Sequence, residues 1–255
     1  MSSKMKRLLI GLLVVLGFET IAQPVAYAQD LVYLVPEPKT ARWSYIESNA
    51  EGKPVTKYYY SVESMKGDGI NGSVKLRIEE ISLSSPADTV KGDIFYRFKD
   101  GEFMVDMNAV FEGEVLESIA TDALKDEADI SEQEVKETID AVRSQISVSG
   151  EIRGIPRYPQ VGALPDYGFQ FKFSIMNMKV LGRDRKIVGK EQIDTPAGSY
   201  DCFVMEETII TKALLMKDVE KTKSWYAYGI GLVKEMTYDK NGKLLSSMVL
   251  DSVNW

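Results

Sequence analysis

The chain of 255 residues contains no histidine. Its absence excludes Ser-His-Asp and Cys-His catalysis, zinc sites that use histidine, and proton transfer by imidazole. Chemistry that carboxylates perform alone, as in a glycosidase pair or a hard-cation site, is still allowed. The residue types therefore exclude the commonest hydrolytic machinery without excluding every enzyme.

Cysteine is nearly absent as well, because Cys202 is the only one. No disulfide can form within the chain. Cys202 stands in the apolar strand pattern Cys202-Phe203-Val204-Met205, and a histidine that could lower its pKa is missing. We therefore predict a buried thiol that packs like a small apolar side chain.

The first 28 residues have the pattern of a signal peptide. Lys4, Lys6 and Arg7 precede the apolar run 8–18, and Ala26-Tyr27-Ala28 is a small-residue cleavage site. The apolar run is shorter than the roughly 20 residues that span a bilayer. We expect cleavage near Ala28, a mature chain without a transmembrane segment, and a periplasmic or extracellular location. No cysteine stands directly after the apolar run, so a lipid anchor at the new N-terminus is not expected.

The mature chain is acidic. The whole chain has 31 basic and 38 acidic residues, and residues 1–28 contain three and one of these, which leaves 28 and 37 and a net charge of −9. Such a chain repels phosphate backbones, so we predict no nucleic-acid partner.

Strand patterns fill most of the mature chain, at roughly ten to thirteen strands. The clearest is a C-terminal hairpin whose apolar arms, 224–238 and 244–250, flank Asn241-Gly242, a sequence typical of a type I′ turn. Residues 169–180 read as one strand, with Phe171 facing away from Met178, and Arg183-Asp184-Arg185 reads as a polar turn. We predict a mainly β fold with a large curved antiparallel sheet, half-barrel or clam-like.

The periodicity becomes helical between residues 114 and 147. Ser131-Glu132-Gln133-Glu134 fits a capping box, and apolar residues follow at helical spacing, namely Val135, Ile139, Val142 and Ile146. The prediction is one domain, 29–255, with a helical insertion at about 114–147 that covers the sheet as a plug or as a lid.

Candidate sites for chemistry fail on spacing. The acidic cluster at 122–129 lacks the glycine and terminal glutamate of a calcium loop, and Gly229-Ile230-Gly231 lacks the third glycine of a dinucleotide loop. Glu206-Glu207 is an adjacent pair on a strand, so its members point to opposite faces. We predict no catalytic residues, no metal site and no cofactor.

Three segments resemble a known family. They are 161–166 (VGALPD), 193–202 (IDTPAGSYDC) and 225–234 (WYAYGIGLVK). The chain from about residue 162 to its end resembles the TapB-like family of exported bacterial proteins, common in Bacteroidetes. The resemblance implies a half-barrel sheet similar to that of lipoprotein carriers, and it implies no catalytic residues. A shared fold does not by itself fix function.

Two functional hypotheses follow for an exported, non-enzymatic protein of the cell envelope. In the first, a concave sheet face binds an apolar or lipid-like ligand through Phe103, Val105, Met107, Phe171 and Phe173. In the second, these side chains are core under a filled interior, and the surface serves a protein partner. The oligomeric state is left open.

Overall fold

The fold is described here from a computed structural model. It describes residues 42–67, 71–83, 89–100, 102–105, 133, 136–137, 140–141, 144–156, 158–173, 176–213 and 216–254. The predicted signal peptide lies outside these residues.

The described residues form thirteen β-strands, which we number in chain order. They are β1 (Arg42–Asn49), β2 (Pro54–Gly67), β3 (Gly72–Ser82), β4 (Thr89–Lys99), β5 (Glu102–Val105), β6 (Ile146–Arg153), β7 (Gly162–Ala163), β8 (Tyr167–Phe173), β9 (Met176–Thr195), β10 (Gly198–Ala213), β11 (Met216–Ala227), β12 (Gly231–Asp239) and β13 (Leu244–Asn254).

These strands close into an antiparallel barrel of 12 strands. Each strand of the ring pairs with the next strand of the ring along the chain, and β13 returns to pair with β1 from Arg42↔Asn254 to Asn49↔Ser246. The short strand β7 pairs with β9 in the same register as β8, so it continues the position of β8 in the wall. The prediction of an antiparallel sheet is confirmed, but the half-barrel is wrong because the first and last described strands pair with each other.

The barrel interior holds one large apolar cluster, rich in aromatic rings. Alternation along the strands sends every second side chain inward. Tyr45 and Trp43 of β1 pack on Tyr60 of β2, with ring centroids 5.5 and 5.7 Å apart. Tyr96 of β4 packs on Phe103 of β5 at 4.5 Å. These rings, from β1 and β2 and from β4 and β5, therefore belong to one continuous core inside the barrel.

The outer face of β2, β3 and β4 is lined with paired charges. Lys75 Nζ lies 2.7 Å from Glu63 Oε2 and 3.0 Å from Asp93 Oδ2. Arg77 bridges the same two carboxylates, Glu63 and Asp93. This side of the barrel wall therefore presents a polar ladder outward while its other face is apolar.

Two hairpin turns share one construction. In the C-terminal hairpin, Asp239 Oδ1 accepts hydrogen bonds from the amides of Asn241 and Lys243, and Gly242 has φ +85°. In the turn between β1 and β2, Asn49 and Gly52 repeat these roles, with φ +77° at Gly52. The hairpin at Asn241-Gly242 is confirmed, but its type I′ turn is wrong: the positive φ is confined to the glycine, as in a three-residue loop.

The arm predicted at 224–238 is two strands. The chain reverses at Tyr228-Gly229-Ile230, where Ile230 N donates to Ala227 O and Gly229 has φ +70°. The glycines therefore mark a full turn between β11 and β12.

The strand predicted at 169–180 is also a hairpin. Phe173 pairs with Met176, and Phe171 pairs with Met178. Directly opposite residues point to the same face, so Met178 is buried beside Phe171 and does not face away from it.

Arg183-Asp184-Arg185 is not a turn. It is a bulge inside the 20-residue strand β9, where the pairing with β10 shifts and Asp184 has φ +54°. A bulge inserts an extra residue and bends the strand without ending it. The polar sequence resembles a turn because the bulge uses turn-like backbone conformations.

The helical insertion predicted at 114–147 is not supported as drawn. Most of it lies outside the described residues, and those that are described delimit no helix; five of them between 133 and 141 have helical backbone. Ile146 begins strand β6, where it pairs with Phe173. Ile146 and Val148 alternate with serines, so Ile146 fits a period of two as well as a helical period.

Candidate functional site

Three of the five residues predicted to bind an apolar ligand lie in the packed core. Phe103 is 1% exposed, Val105 is 5% exposed and Phe171 is fully buried, and all three belong to the interior cluster. Met107 and the Phe173 side chain are outside the described part. Around Phe103 and Phe171 the protein itself fills the space, so a ligand there would have to displace core side chains.

Arg185 is the most heavily bonded side chain of the interior. Its Nε donates to Glu207 Oε2 at 2.9 Å, and its Nη atoms donate to the carbonyl oxygens of Pro165, Arg153 and Gly154 at 2.8–2.9 Å. The guanidinium carbon also lies 4.9 Å from the ring centroid of Tyr167. Arg185 therefore ties β9 to β10, to the end of β6 and to the segment before β8.

A small cavity adjoins this arginine. Its volume is about 30 Å³, and its lining includes Phe103, Ile155, Leu164 and Arg185. Ligand pockets for small molecules have volumes of about 300–1,000 Å³, whereas roughly 10–15 Å³ measured in this way holds one water. This cavity can hold a water or two and is too small for a lipid.

Polar side chains form a belt on the inner wall across six neighbouring strands. Cross-strand pairs connect them: Glu207↔Thr222, Thr222↔Thr237 and Ser224↔Glu235 on β10 to β12, then Glu235↔Met248, Met248↔Glu47 and Glu47↔Thr56 on β12 to β2. We call the polar members the inner belt; they are Glu47, Thr56, Glu207, Thr222, Ser224, Glu235 and Thr237, all buried.

The three glutamates of the inner belt have different partners. Glu207 is paired with Arg185; burial raises the pKa of Glu207, and the guanidinium opposes that rise. Glu47 Oε2 accepts from the Tyr58 hydroxyl at 2.9 Å. Glu235 Oε2 accepts from Ser224 Oγ at 2.6 Å, and burial raises the pKa of Glu235 to about 8. Glu235 is therefore mostly protonated at neutral pH.

Perturbed carboxyl groups are one signature of an active site. Here they lie inside a packed barrel, where Glu235 and Glu207 are each 7% exposed. Within the described residues, no group of acidic or cysteine side chains has the arrangement of a metal site. The inner belt is therefore better suited to holding strands together than to meeting a substrate.

Cys202 is buried, as predicted from its strand pattern. Burial, with Asp201 and Glu191 nearby, raises the pKa of the Cys202 thiol to about 12. A thiolate at neutral pH is thus strongly disfavoured, which argues against nucleophilic chemistry at this residue.

Apolar side chains are exposed where β7 meets β9. Gly162 pairs with Ile187, so Val161 and Val188 are the chain neighbours of one cross-strand pair. Val161 is 70% exposed, Val188 is 40% exposed, and Tyr158, in the same connection before β7, is 58% exposed. We call Tyr158, Val161 and Val188 the β7 patch.

No motif in the sequence marks the inner belt. The prediction that Glu206 and Glu207 point to opposite faces is confirmed, since Glu206 pairs with Lys186 outside while Glu207 is buried. Glu47, Arg185 and Glu235 carry no motif that points to burial. Glu235 and Thr237 share one face of β12, but the bulge beside them places Val233 in a separate cluster with Trp225, so alternation along β12 does not mark the face of Glu235 as buried.

The comparison with protein families matches residues 160–250 to the DUF3108-like family. The match begins at the β7 patch and ends in β13. It covers the same third of the chain as the TapB-like resemblance, and the TapB-like name itself stays a prediction.

Two solved structures share the fold. One is a protein from Bacteroides fragilis described as exported, with a YmcC-like fold; it is 17% identical, with a TM-score of 0.57 over 86% of this chain and 97% of that chain. The other is from Parabacteroides distasonis and is described as a lipoprotein; it is 20% identical, with a TM-score of 0.60 over 89% of this chain and 100% of that chain. The comparison with curated proteins gave no match.

The search for membrane-spanning helices covered the described residues alone. None of their helical segments has the length and hydropathy that a bilayer crossing requires.

We predict that Arg185→Met lowers the free energy of unfolding by about 3–5 kcal/mol, because it leaves Glu207 as an unpaired buried charge. Lys186→Met is the matched control. It removes the neighbouring, half-exposed pair with Glu206, and it should cost at most about 1 kcal/mol. Denaturant unfolding of both variants measures the difference.

The double variant Arg185→Met, Glu207→Met separates the cost of an unpaired Glu207 charge from the cost of the carbonyl hydrogen bonds lost with Arg185. Removing both charges should recover part of the loss, and the three carbonyls that Arg185 satisfies should prevent full recovery. Equal stability of the Arg185→Met and Lys186→Met proteins would contradict the assigned role.

Proposed function

We propose that this chain is a non-enzymatic protein of the cell envelope that binds a protein partner on the outer surface of its barrel. The observation that carries the proposal is the burial of the rings that would hold an apolar ligand: Phe103 and Phe171 are at most 1% exposed. Rings packed in this way leave no room for a ligand beside them.

The location is inferred from two sources. Residues 1–28 have the sequence of a signal peptide. The two proteins that share the fold are described as an exported protein and as a lipoprotein. Both sources support an envelope location for this chain.

The β7 patch is the surface we assign to the partner. Exposed apolar side chains that lie together mark interaction sites more often than scattered ones do. Val161 precedes β7 and Val188 follows the β9 residue that pairs with Gly162, and Lys186, which pairs with Ala163, forms an ion pair with Glu206. An apolar centre with a charged rim is the usual anatomy of a protein interface.

Cross-linking in the native envelope tests this assignment. The wild-type chain should capture one protein reproducibly, and Val161→Asp and Val188→Asp should lose it, because a buried unpaired carboxylate opposes docking. Met216→Asp is the control: Met216 is 72% exposed and pairs with Ala213, well along the wall from the patch.

The outcome against the assignment is equally direct. If the patch variants and Met216→Asp capture the same protein as the wild type, the β7 patch is not the partner surface. Circular dichroism and thermal unfolding confirm that each variant is folded.

An apolar or lipid-like ligand is the second candidate function. It is favoured by the closure of twelve strands into a ring, since the interior of a barrel widens with the number of strands and a ring of about eight can already hold a small ligand. The five residues proposed for it remain Phe103, Val105, Met107, Phe171 and Phe173.

Native mass spectrometry of the mature protein, purified without detergent, distinguishes the two functions. Partner binding alone predicts the bare mass of the chain. An apolar adduct that is lost on denaturation, and that Phe103→Asp abolishes in a folded protein, would make the ligand-binding function primary.

A further inference from the structure

The inner belt contains a carboxyl group that is incompletely hydrogen-bonded. Glu235 Oε2 accepts from Ser224, but among the residues that the structure describes Glu235 Oε1 has no hydrogen-bond partner, and neither has Thr222 Oγ1. A buried polar atom without a partner costs about 1–3 kcal/mol, and the cost is greater for a charged group. The site is therefore far more compatible with a protonated Glu235 than with a carboxylate.

The surroundings of Glu235 are acidic. The titratable groups that act on it or respond to it come from β1, β2, β8, β10 and β11: the carboxyls of Glu47, Glu207 and Glu220, and the phenols of Tyr45, Tyr60 and Tyr167. The buried cation of this region, Arg185 on β9, is already bound to Glu207 and to three carbonyls. A negative charge at Glu235 would have Ser224 as its hydrogen-bond donor and acidic neighbours.

The strand pairing makes Glu235 central to one wall of the barrel. It lies opposite Ser224 of β11 on one side and opposite Met248 of β13 on the other. The pairing of β11 with β12, in which Glu235 takes part, has a bulge between Trp225 and Tyr226. The pairing is therefore irregular close to this carboxyl. A bulge locally disrupts the ladder.

We propose that Glu235 is a proton-dependent latch of the barrel wall: the protonated side chain is held inside between β11 and β13, and loss of its proton opens the pairing of β11 with β12. The opening lets the carboxylate reach water, which removes the cost of an unpaired buried charge. The latch requires the closed barrel and is independent of the partner proposed above.

The direction of the pH dependence follows from the pKa. Burial, chiefly, raises the pKa of Glu235 from an ordinary 4.5 to about 8, and its acidic neighbours add to the rise. Between about pH 4.5 and pH 8, Glu235 is protonated in the closed wall and ionised in the opened wall. The stabilisation by this proton is complete below about pH 4.5 and is lost as pH rises through about 8.

Amide hydrogen exchange of the full mature chain tests the latch. After correction for intrinsic chemical exchange, the opening equilibrium of β11 and β12 should rise about tenfold for each pH unit between about pH 6 and pH 8. Amides of β3, which lies elsewhere in the ring, should show no such slope. An equal slope in β3 would mean that the whole barrel loses stability as pH rises, and this result would overturn the proposal of a local latch.

Two variants assign the slope to one carboxyl. Glu235→Gln cannot ionise, so its β11 and β12 amides should exchange without the pH slope. Glu220→Gln is the control on the same wall and should keep the slope, although Glu220 is itself half-buried with a raised pKa. A slope that survives in Glu235→Gln contradicts the proposal.

A measurement on the wild type covers the case in which Glu235→Gln does not fold. Infrared difference spectra should show a protonated carboxyl band at pH 7 that disappears above about pH 8, in step with the exchange of β12. If the protein has no protonated carboxyl at pH 7, the latch is wrong.

Discussion

The pairing of β1 with β13 is the constraint on which the rest of this structure depends. Every other neighbouring pair in the ring joins strands that follow each other along the chain, apart from the short β7. This pair joins the first described strand to the last. It removes the two open edges that a twelve-stranded sheet would otherwise expose. It also converts a curved sheet with one covered face into a barrel with an inside, which is where the aromatic core and the inner belt lie.

The closed interior carries apolar and polar side chains on the same strands. The apolar cluster includes Tyr45, Tyr96 and Phe171 and extends around the ring, while the inner belt crosses β10 to β2 within it. Buried ionic groups seldom add stability over well-packed apolar ones, but they can favour one arrangement of strands over another. Arg185 fits that account, because its four acceptors lie on three segments that must meet at the bulge of β9.

Local patterns were enough to predict a mainly antiparallel β fold and its C-terminal hairpin. The Asn-Gly sequence at 241–242 lies between strands that pair as predicted. Local patterns were not enough where one residue fits two periods, as with Ile146, or where a polar triplet such as Arg183-Asp184-Arg185 can be a turn or a bulge. In each of these cases the cross-strand partner decides, and that partner lies far away in the sequence.

The inner belt could not be predicted from local patterns either, because its burial depends on strands that are distant in the sequence. A glutamate on a strand reads as solvent-facing unless its face is known to be covered, and the cover over Glu235 is supplied by β1, β2 and β10. Burial of Phe103, Val105 and Phe171 on an inward face was readable from alternation. Whether that face holds a ligand or packs as core depends on the width and closure of the ring, which no local pattern contains.

A disulfide across the closing strands tests the closed barrel most directly. Ser48 of β1 lies opposite Ser247 of β13, so Ser48→Cys with Ser247→Cys, in a Cys202→Ser background, places two thiols at a distance that a disulfide spans. The closed barrel predicts rapid, complete oxidation to one intramolecular bond and a higher midpoint of unfolding, since the bond links the two ends of the fold. Two free thiols that both react with a labelling reagent in the folded protein would contradict the closed barrel.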